Sequence, residues 1–258
     1  MKKEMIEKLV RDTVREFEPY VPGKPIHELK RELGLRKVYK LASNENSLGC
    51  SPKVLEKLKK NLDIIYRYPE TSCFKLKERL SNQLKINKSC FLFGNGSDEI
   101  IELLGKTFLN KEDEIITSKH AFIRYAMAGR LMDCKVVEVP MIALGYDTES
   151  ILGSITNRTK IIFIGNPNNP TGTYISDKVF GNFLKKVPSN IFVVMDEAYY
   201  EYVKENDYSD TIKYLKKYQN LIILRTFSKL YSLAGLRIGY MIAHQNIVEY
   251  VDRIRPPF

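Results

Sequence analysis

The chain has 258 residues, of which 44% are hydrophobic and 28% are charged, and its formal net charge is +10. This composition suits one large or two modest globular domains, and no apolar run is long enough to span a bilayer, so we expect no membrane association. The positive charge could attract nucleic acid, but the lysines lie in dispersed pairs such as Lys59-Lys60 and Lys185-Lys186 without a nucleic-acid-binding motif, and we expect no such partner.

Apolar side chains in the first 20 residues recur at helical spacing, which predicts one amphipathic helix. They are Ile6, Leu9, Val10, Val14 and Phe17. The same segment lacks the apolar core of a signal peptide, and no two cysteines of the chain form a CxxC pair. We therefore expect a reduced, cytoplasmic protein without a structural metal. Residues 1–40 are interpreted as a helix and an arm, and residues 41–258 as one large domain.

From residue 37 onward, strand, loop and helix patterns alternate. Strands are predicted over residues 90–93, 113–118, 135–140, 160–165, 191–195, 221–225 and 236–243. Helices are predicted over residues 97–109 and 176–187 and from about residue 246. Most of these strands are apolar at consecutive positions, which is typical of strands buried on both faces. The pattern therefore predicts an α/β fold, a mostly parallel central sheet with helices on both faces.

Polar clusters follow several predicted strands, at the edge where ligands of such sheets bind. Residues 94–98, GNGSD, join a strand to a helix whose first amides could hold a phosphate, although Ser97 is also an ordinary N-cap. Residues 166–172, NPNNPTG, form a rigid turn. This turn either is only a well-ordered loop or presents the Asn169 amide to an oxygen of a bound ring.

A second pair of clusters follows the next two strands. Asp196 and Glu197 could bind magnesium, or Asp196 and Tyr199 could hold opposite edges of a heteroaromatic ring, because a carboxylate keeps a ring nitrogen protonated and a phenol bonds a ring oxygen. Residues 225–229, RTFSK, end the following strand. A lysine at such an end is most often only solvated. If it is buried near other cations, its pKa falls and it can form a Schiff base.

The hydroxyls of Thr226 and Ser228 can bond a phosphate, and Arg237 can neutralise it. A phosphate, a ring nitrogen, a phenolic oxygen and an aldehyde that reacts with Lys229 together describe pyridoxal 5′-phosphate (PLP). The sequence therefore indicates a PLP site at one edge of the sheet.

The stretches GNGSDE, NPNNPTG, DEAY and SKLYSLAGLRIGY resemble the fold-type I PLP-dependent aminotransferases. LASNENSLG, YRYPE and RIRPPF make the chain most similar to the histidinol-phosphate aminotransferase family within the class II subfamily. The resemblance implies reversible amino transfer between L-histidinol phosphate and 2-oxoglutarate, giving imidazole-acetol phosphate and glutamate in histidine biosynthesis. Two alternatives stay open: another PLP enzyme of this shape, such as an aromatic aminotransferase or a threonine-phosphate decarboxylase, and a non-catalytic interaction or nucleic-acid-binding protein.

The resemblance also implies roles for individual residues. Lys229 would hold the cofactor covalently and move the reacting proton, Asp196 would pair with the pyridine nitrogen, and Tyr199 would bind the 3-oxygen of the ring. The further cofactor contacts would be Gly96, Ser97, Asp98, Phe122, Asn169, Thr226, Ser228 and Arg237, with Tyr68 reaching the phosphate of the neighbouring subunit in a homodimer. The substrate contacts would be Tyr20, Asn44 and Asn46.

At its end, the sequence departs from the pattern of the family. Members of the family continue beyond the RPPF segment into a small C-terminal domain, and that domain carries an arginine that binds the carboxylate or phosphate of the substrates. We therefore expect the chain as it stands to bind the cofactor but to transaminate poorly.

Overall fold

The computed structural model describes residues 3–15, 17–18 and 23–257. Helices and strands alternate through most of this length. The helices are α1 (Lys3–Glu7), α2 (Asp12–Arg15), α3 (Ile26–Leu33), α4 (Pro52–Lys59), α5 (Phe74–Leu84), α6 (Gly96–Phe108), α7 (Ile123–Leu131), α8 (Thr148–Gly153), α9 (Asp177–Lys186) and α10 (Gln245–Asp252). The strands are β1 (Phe91–Asn95), β2 (Glu114–Ser118), β3 (Lys135–Val139), β4 (Thr159–Gly165), β5 (Phe192–Asp196), β6 (Leu221–Thr226) and β7 (Ile238–Ala243). Among the described residues, no helix is both long and apolar enough to cross a bilayer.

Within the described residues, all the strands join in a single sheet with the order β1-β7-β6-β5-β4-β2-β3. The strand β7 runs antiparallel to both of its neighbours, and the other pairs are parallel. The carboxyl ends of the remaining strands therefore share one edge of the sheet. The prediction of a mostly parallel α/β sheet is confirmed, because the long helical connections between strands allow parallel pairing.

Two hydrophobic cores lie on the two faces of this sheet. The helices α6, α7 and α10 contribute to one core, and α5, α8 and α9 contribute to the other. Successive strand residues point to opposite faces, so Val193 and Met195 pack into one core while Val194 packs into the other. Burial on both faces explains why the strands are apolar at consecutive positions.

The predicted single helix at the N-terminus is wrong. Within the described residues, α1 and α2 are separate short helices, and the chain between them turns at residues 8–11. The Arg15 guanidinium donates to the backbone carbonyls of Glu7, at the end of α1, and of Val10, within the turn. Leu9 is 78% exposed. The apolar stripe therefore does not pack into the core, and short helices without such packing are marginal.

The other predicted elements differ from the structure mainly at their ends. Among the strands, β1 runs two residues beyond its predicted end at residue 93, and β7 begins two residues after its predicted start at residue 236. A short 3-10 helix, Ala234–Leu236, occupies that position, and Arg237 then adopts a left-handed conformation with φ of 53°. This turn delays the strand until Ile238 and places the Arg237 side chain at the edge of the sheet where the other strands end.

Candidate active site

A cavity of about 380 Å³ lies at the edge of the sheet where β1, β4, β5 and β6 end. It brings together residues that are far apart in the sequence, including every predicted cofactor contact except Tyr68. These are Gly96, Ser97, Asp98, Phe122, Asn169, Asp196, Tyr199, Thr226, Ser228, Lys229 and Arg237. Their convergence follows from the topology, because parallel strands deliver their following loops to the same edge.

Asp196 is the last residue of β5 and is 5% exposed. One carboxylate oxygen accepts a hydrogen bond from the Tyr125 hydroxyl at 2.8 Å, and the other accepts one from the Ala198 amide at 3.1 Å. Burial raises the pKa of Asp196 to about 6, and these two hydrogen bonds oppose part of that rise. The carboxylate is therefore ionised at pH 7 in a dry setting, where a cationic partner is strongly favoured.

Tyr125 is a site residue that the sequence reasoning missed. It lies on α7, is almost fully buried, and its ring stacks on Phe163 with centroids 5.3 Å apart. Phe122, at the start of the same helix, meets the Tyr125 ring edge-on at 5.7 Å and lines the cavity. The available signal was the spacing of three residues between Phe122, the N-cap of α7, and Tyr125 in the first turn of that helix.

Lys229 lies just beyond β6 and is half-buried. Its Nζ donates to the backbone carbonyl of Ser43 at 3.4 Å and lies 5.4 Å from the centre of the Tyr199 ring. Burial lowers the pKa of Lys229 and nearby Arg237 lowers it further, while the carboxylates of the site act in the opposite direction. A lowered pKa increases the fraction of the amine that is neutral and nucleophilic.

The first turn of α6 and Arg237 form a cationic end of the cavity. The helix begins at Gly96 with φ of 77°, and the Gly96 amide donates to the Arg237 carbonyl at 3.0 Å. The Arg237 guanidinium lies 3.8 Å from Asp98. Thr226 and Ser228 are buried beside it, with their hydroxyls 3.0 Å apart. Helix amides, hydroxyls and a guanidinium are the groups that bind phosphate.

Replacing Gly96 by alanine should disrupt this end of the cavity. A Cβ there would lie 2.5 Å from Nη2 of Arg237, and the positive φ adds about 1–2 kcal/mol of strain for a residue other than glycine. We expect lower stability and about tenfold weaker binding of PLP, measured by thermal melting and fluorescence titration. Gly235→Ala is the matched control, because its Cβ would meet nothing within 4 Å. Equal effects of the two substitutions would contradict the steric explanation.

The loop after β4 separates structural asparagines from the one that faces the cavity. Asn166 accepts a hydrogen bond from the Ile175 amide at 2.7 Å, and Asn168 donates to the His120 carbonyl at 3.1 Å. Both are buried. Asn169 instead lines the cavity, as Phe122 does. The buried pair thus fixes the loop that presents the Asn169 amide.

The predicted substrate contacts behave differently from one another. Asn44 lines a second cavity of about 590 Å³, which shares Lys229 and Tyr199 with the first. The Asn44 amide donates to the Tyr199 hydroxyl at 2.8 Å. Burial raises the pKa of Tyr199, and this hydrogen bond lowers it in part. The Asn46 amide donates instead to the Leu230 carbonyl at 3.2 Å, and Asn46 lines neither cavity.

Two further predicted contacts are not placed at the cavity. Tyr20 lies outside the described residues. Tyr68 is 79% exposed and does not line either cavity of its own chain. Tyr68 was predicted to reach the cofactor phosphate of the neighbouring subunit. The structure of a single chain does not test that contact, so it stays a prediction.

Comparison with known proteins adds to this geometry. Residues 36–258 match the family model for aminotransferase class I and II. The chain is 45% identical over 250 residues to histidinol-phosphate aminotransferase 1 of Idiomarina loihiensis, covering 97% of this chain and 68% of that protein. It is 46% identical to histidinol-phosphate aminotransferase of Caldicellulosiruptor saccharolyticus, covering 97% of this chain and 70% of that protein.

A solved structure shares the fold. The crystal structure of histidinol-phosphate aminotransferase from Sinorhizobium meliloti, in complex with pyridoxal-5′-phosphate, superposes with a TM-score of 0.87 at 23% identity. The alignment covers 96% of this chain and 66% of that chain. The chain thus spans about two thirds of the length of these relatives.

Proposed function

The chain belongs to the class I and II aminotransferases, and on that premise we propose that it is a histidinol-phosphate aminotransferase that binds PLP in the cavity. The observation that carries the proposal is the placement of the buried Asp196 carboxylate and the Lys229 amine on one cavity. Two relatives with 45% and 46% identity bear that name. The names of these relatives support the proposed substrate, and the residues of the cavity support the proposed cofactor.

The residues of the cavity fit PLP in size and in chemistry. Its volume of about 380 Å³ lies in the range of small-molecule sites. Asp196 offers an anion for a ring nitrogen, Asn169 and Tyr199 offer donors for a ring oxygen, and Lys229 offers an amine for an aldehyde. The cationic end at Arg237 fits a phosphate. Each polar group of the cofactor thus has a partner of suitable chemistry.

When bound, PLP supplies an electron sink for a carbanion at the α-carbon of the substrate. The chain supplies the remaining parts of the reaction. Asp196, ionised above pH 6, holds the proton on the ring nitrogen. Lys229, with its lowered pKa, takes and returns a proton at Nζ. Phe122 contributes an apolar ring to the lining of the cavity, which helps to exclude water.

The reaction proposed is amino transfer between L-histidinol phosphate and 2-oxoglutarate, giving imidazole-acetol phosphate and glutamate in histidine biosynthesis. The nearest alternatives, an aromatic aminotransferase and a threonine-phosphate decarboxylase, would use the same cofactor residues. The chain spans about two thirds of the length of these relatives. The cavity alone therefore does not separate these alternatives.

Comparing the turnover of histidinol phosphate, phenylalanine and threonine phosphate tests the substrate. We expect histidinol phosphate to give the highest kcat/KM, even if all three rates are low. A higher value for either other compound would assign the corresponding alternative. A colourless protein that takes up no PLP and binds nucleic acid in a salt-sensitive manner would instead favour the non-catalytic alternative.

We also propose a homodimer in the cytoplasm, in which residues 41–258 form the cofactor domain and residues 1–40 an N-terminal helix and arm. Exposed apolar side chains between residues 41 and 65 support an interface, because Leu41, Leu48 and Ile65 are 95%, 92% and 78% exposed. Tyr68 follows this segment and would reach the cofactor phosphate of the other subunit. Sedimentation that shows only monomers at micromolar concentration would contradict this proposal.

A further inference from the structure

A buried ion pair lies behind the cavity. Arg225 and Glu197 are 4% and 0% exposed, and both Nε and Nη2 of Arg225 lie 2.8 Å from Oε2 of Glu197. Glu197 directly follows Asp196 at the end of β5, and Arg225 lies near the end of the adjacent parallel strand β6. Neither residue lines the cavity. The pair is therefore close to the site but does not contact a ligand there.

Arg225 contacts the same turn that carries the cavity residues. Asp196 and Tyr199 line the cavity, and each is directly followed by a residue that contacts Arg225. These following residues are Glu197, through the ion pair, and Tyr200, whose ring centre lies 3.9 Å from the guanidinium carbon. Arg225 thus contacts the turn at two residues, and each of them directly follows a residue that lines the cavity.

The energetics of such a pair favour a geometric role. Burial raises the pKa of Glu197, and the charge of Arg225 opposes that rise, so the carboxylate depends on its partner to remain ionised. Burying both charges costs desolvation energy, and apolar replacements of similar volume are often equally stable. The planar guanidinium places Nε and Nη2 together against one carboxylate oxygen, a fork of fixed geometry, and offers a flat face to the ring of Tyr200. A point charge on lysine offers neither.

We propose that Arg225 and Glu197 are positioning residues that fix the turn at 196–200 against β6. Since β6 leads directly into Lys229, this connection sets the spacing between Asp196 and the amine across the cavity. The inference rests on the proposed PLP site. The inference predicts that the affinity for PLP depends on the ion pair even if the stability of the fold does not.

The double variant E197L/R225M tests the inference, because it replaces both charges with apolar side chains of similar volume. We expect its cofactor-free melting temperature to stay within about 4 °C of the parent value. We expect its dissociation constant for PLP, measured by fluorescence titration, to rise at least about tenfold, since small misplacements of binding groups have large effects. R225K keeps the charge but loses the fork and is expected to raise the dissociation constant about threefold or more.

The matched control is E114Q. Glu114 is also 0% exposed and pairs with Lys135 at 3.2 Å, but it begins β2, at the opposite edge of the sheet from the cavity. E114Q should lower the melting temperature and leave PLP binding unchanged, which separates positioning from general stability. Equal weakening of PLP binding in E114Q would overturn the inference.

The remaining outcomes are also decisive. A rise of less than about tenfold in the folded double variant would overturn the inference, because the pair would then be only structural. If the double variant does not fold, R225K decides, and a rise below about threefold would overturn it. A parent chain that binds no PLP would overturn the proposed function itself, and the inference with it.

Discussion

Replacing Lys229 by alanine is expected to abolish the borohydride-stable attachment of PLP and to lower the rate of amino transfer at least about 10³-fold. Among the described residues that line the cavity, Lys229 is the one lysine. No other lining side chain can therefore replace its amine. Peptide mapping of borohydride-reduced protein measures the attachment, and the parent chain should carry the pyridoxyl group on Lys229. A label on a different lysine, or on none, would contradict the site assignment.

The same substitution should leave the fold intact. Burial lowers the pKa of Lys229, so the native state binds this proton less tightly than the unfolded state. The resulting cost is fully present below the native pKa and decreases as the pH rises toward the unfolded value. K229A should therefore be neutral or slightly stabilising at pH 7, as measured by urea unfolding. Lys185→Ala, an exposed lysine on α9, is the matched control and should change neither the label nor the stability.

Replacing Asp196 by asparagine is expected to stabilise the cofactor-free protein while weakening its function. The pKa of Asp196 is about 6 in the folded protein and 3.8 in the reference state, which corresponds to a cost of roughly 3 kcal/mol when the buried group is ionised. A neutral amide removes this cost. It also removes the anion that holds a proton on the ring nitrogen, so amino transfer should fall about 10²-fold or more.

The stability gained by D196N should increase with pH. Between about pH 4 and 6 the native Asp196 binds more protons than the unfolded chain does, so its contribution to stability falls as the pH rises. The gain in D196N should be near zero at pH 4 and approach its full value above pH 6, measured by urea unfolding. D147N is the control of opposite sign, because hydrogen bonds from Ser150 lower the pKa of Asp147. A stability difference for D196N that does not change with pH would contradict the explanation.

The sequence was informative where chemistry and local pattern coincide. Apolar strands that end in polar residues predicted that Asp196 and Lys229 would share one edge of the sheet. Residues that reach the site from other segments had no comparable signal, as Ser43 shows, because its contact with Lys229 depends on the path of a remote loop. The N-terminal segment was predicted wrongly because helical spacing does not reveal whether an apolar stripe has a core to pack against.

The neighbouring acids show a second limit of local pattern. Asp196 and Glu197 are adjacent in sequence, and the pair was one candidate for binding magnesium. Only Asp196 lines the cavity. Glu197 lies against Arg225 instead. Successive residues of an extended chain point to opposite faces, so two adjacent acids at a strand end do not converge on one ion.

That alternation makes β5 intolerant of changes in length. Deleting one residue from the strand would move Glu197 into the position of Asp196, facing the cavity, and would move Asp196 into the position of Met195, within the hydrophobic core. The longer side chain of Glu197 would then crowd the ligand, and the Asp196 carboxylate would be buried among apolar side chains without its present hydrogen-bond donors. Homologous sequences should therefore vary freely in apolar composition along this strand while preserving its residue count, because here insertions and deletions damage catalysis and folding together.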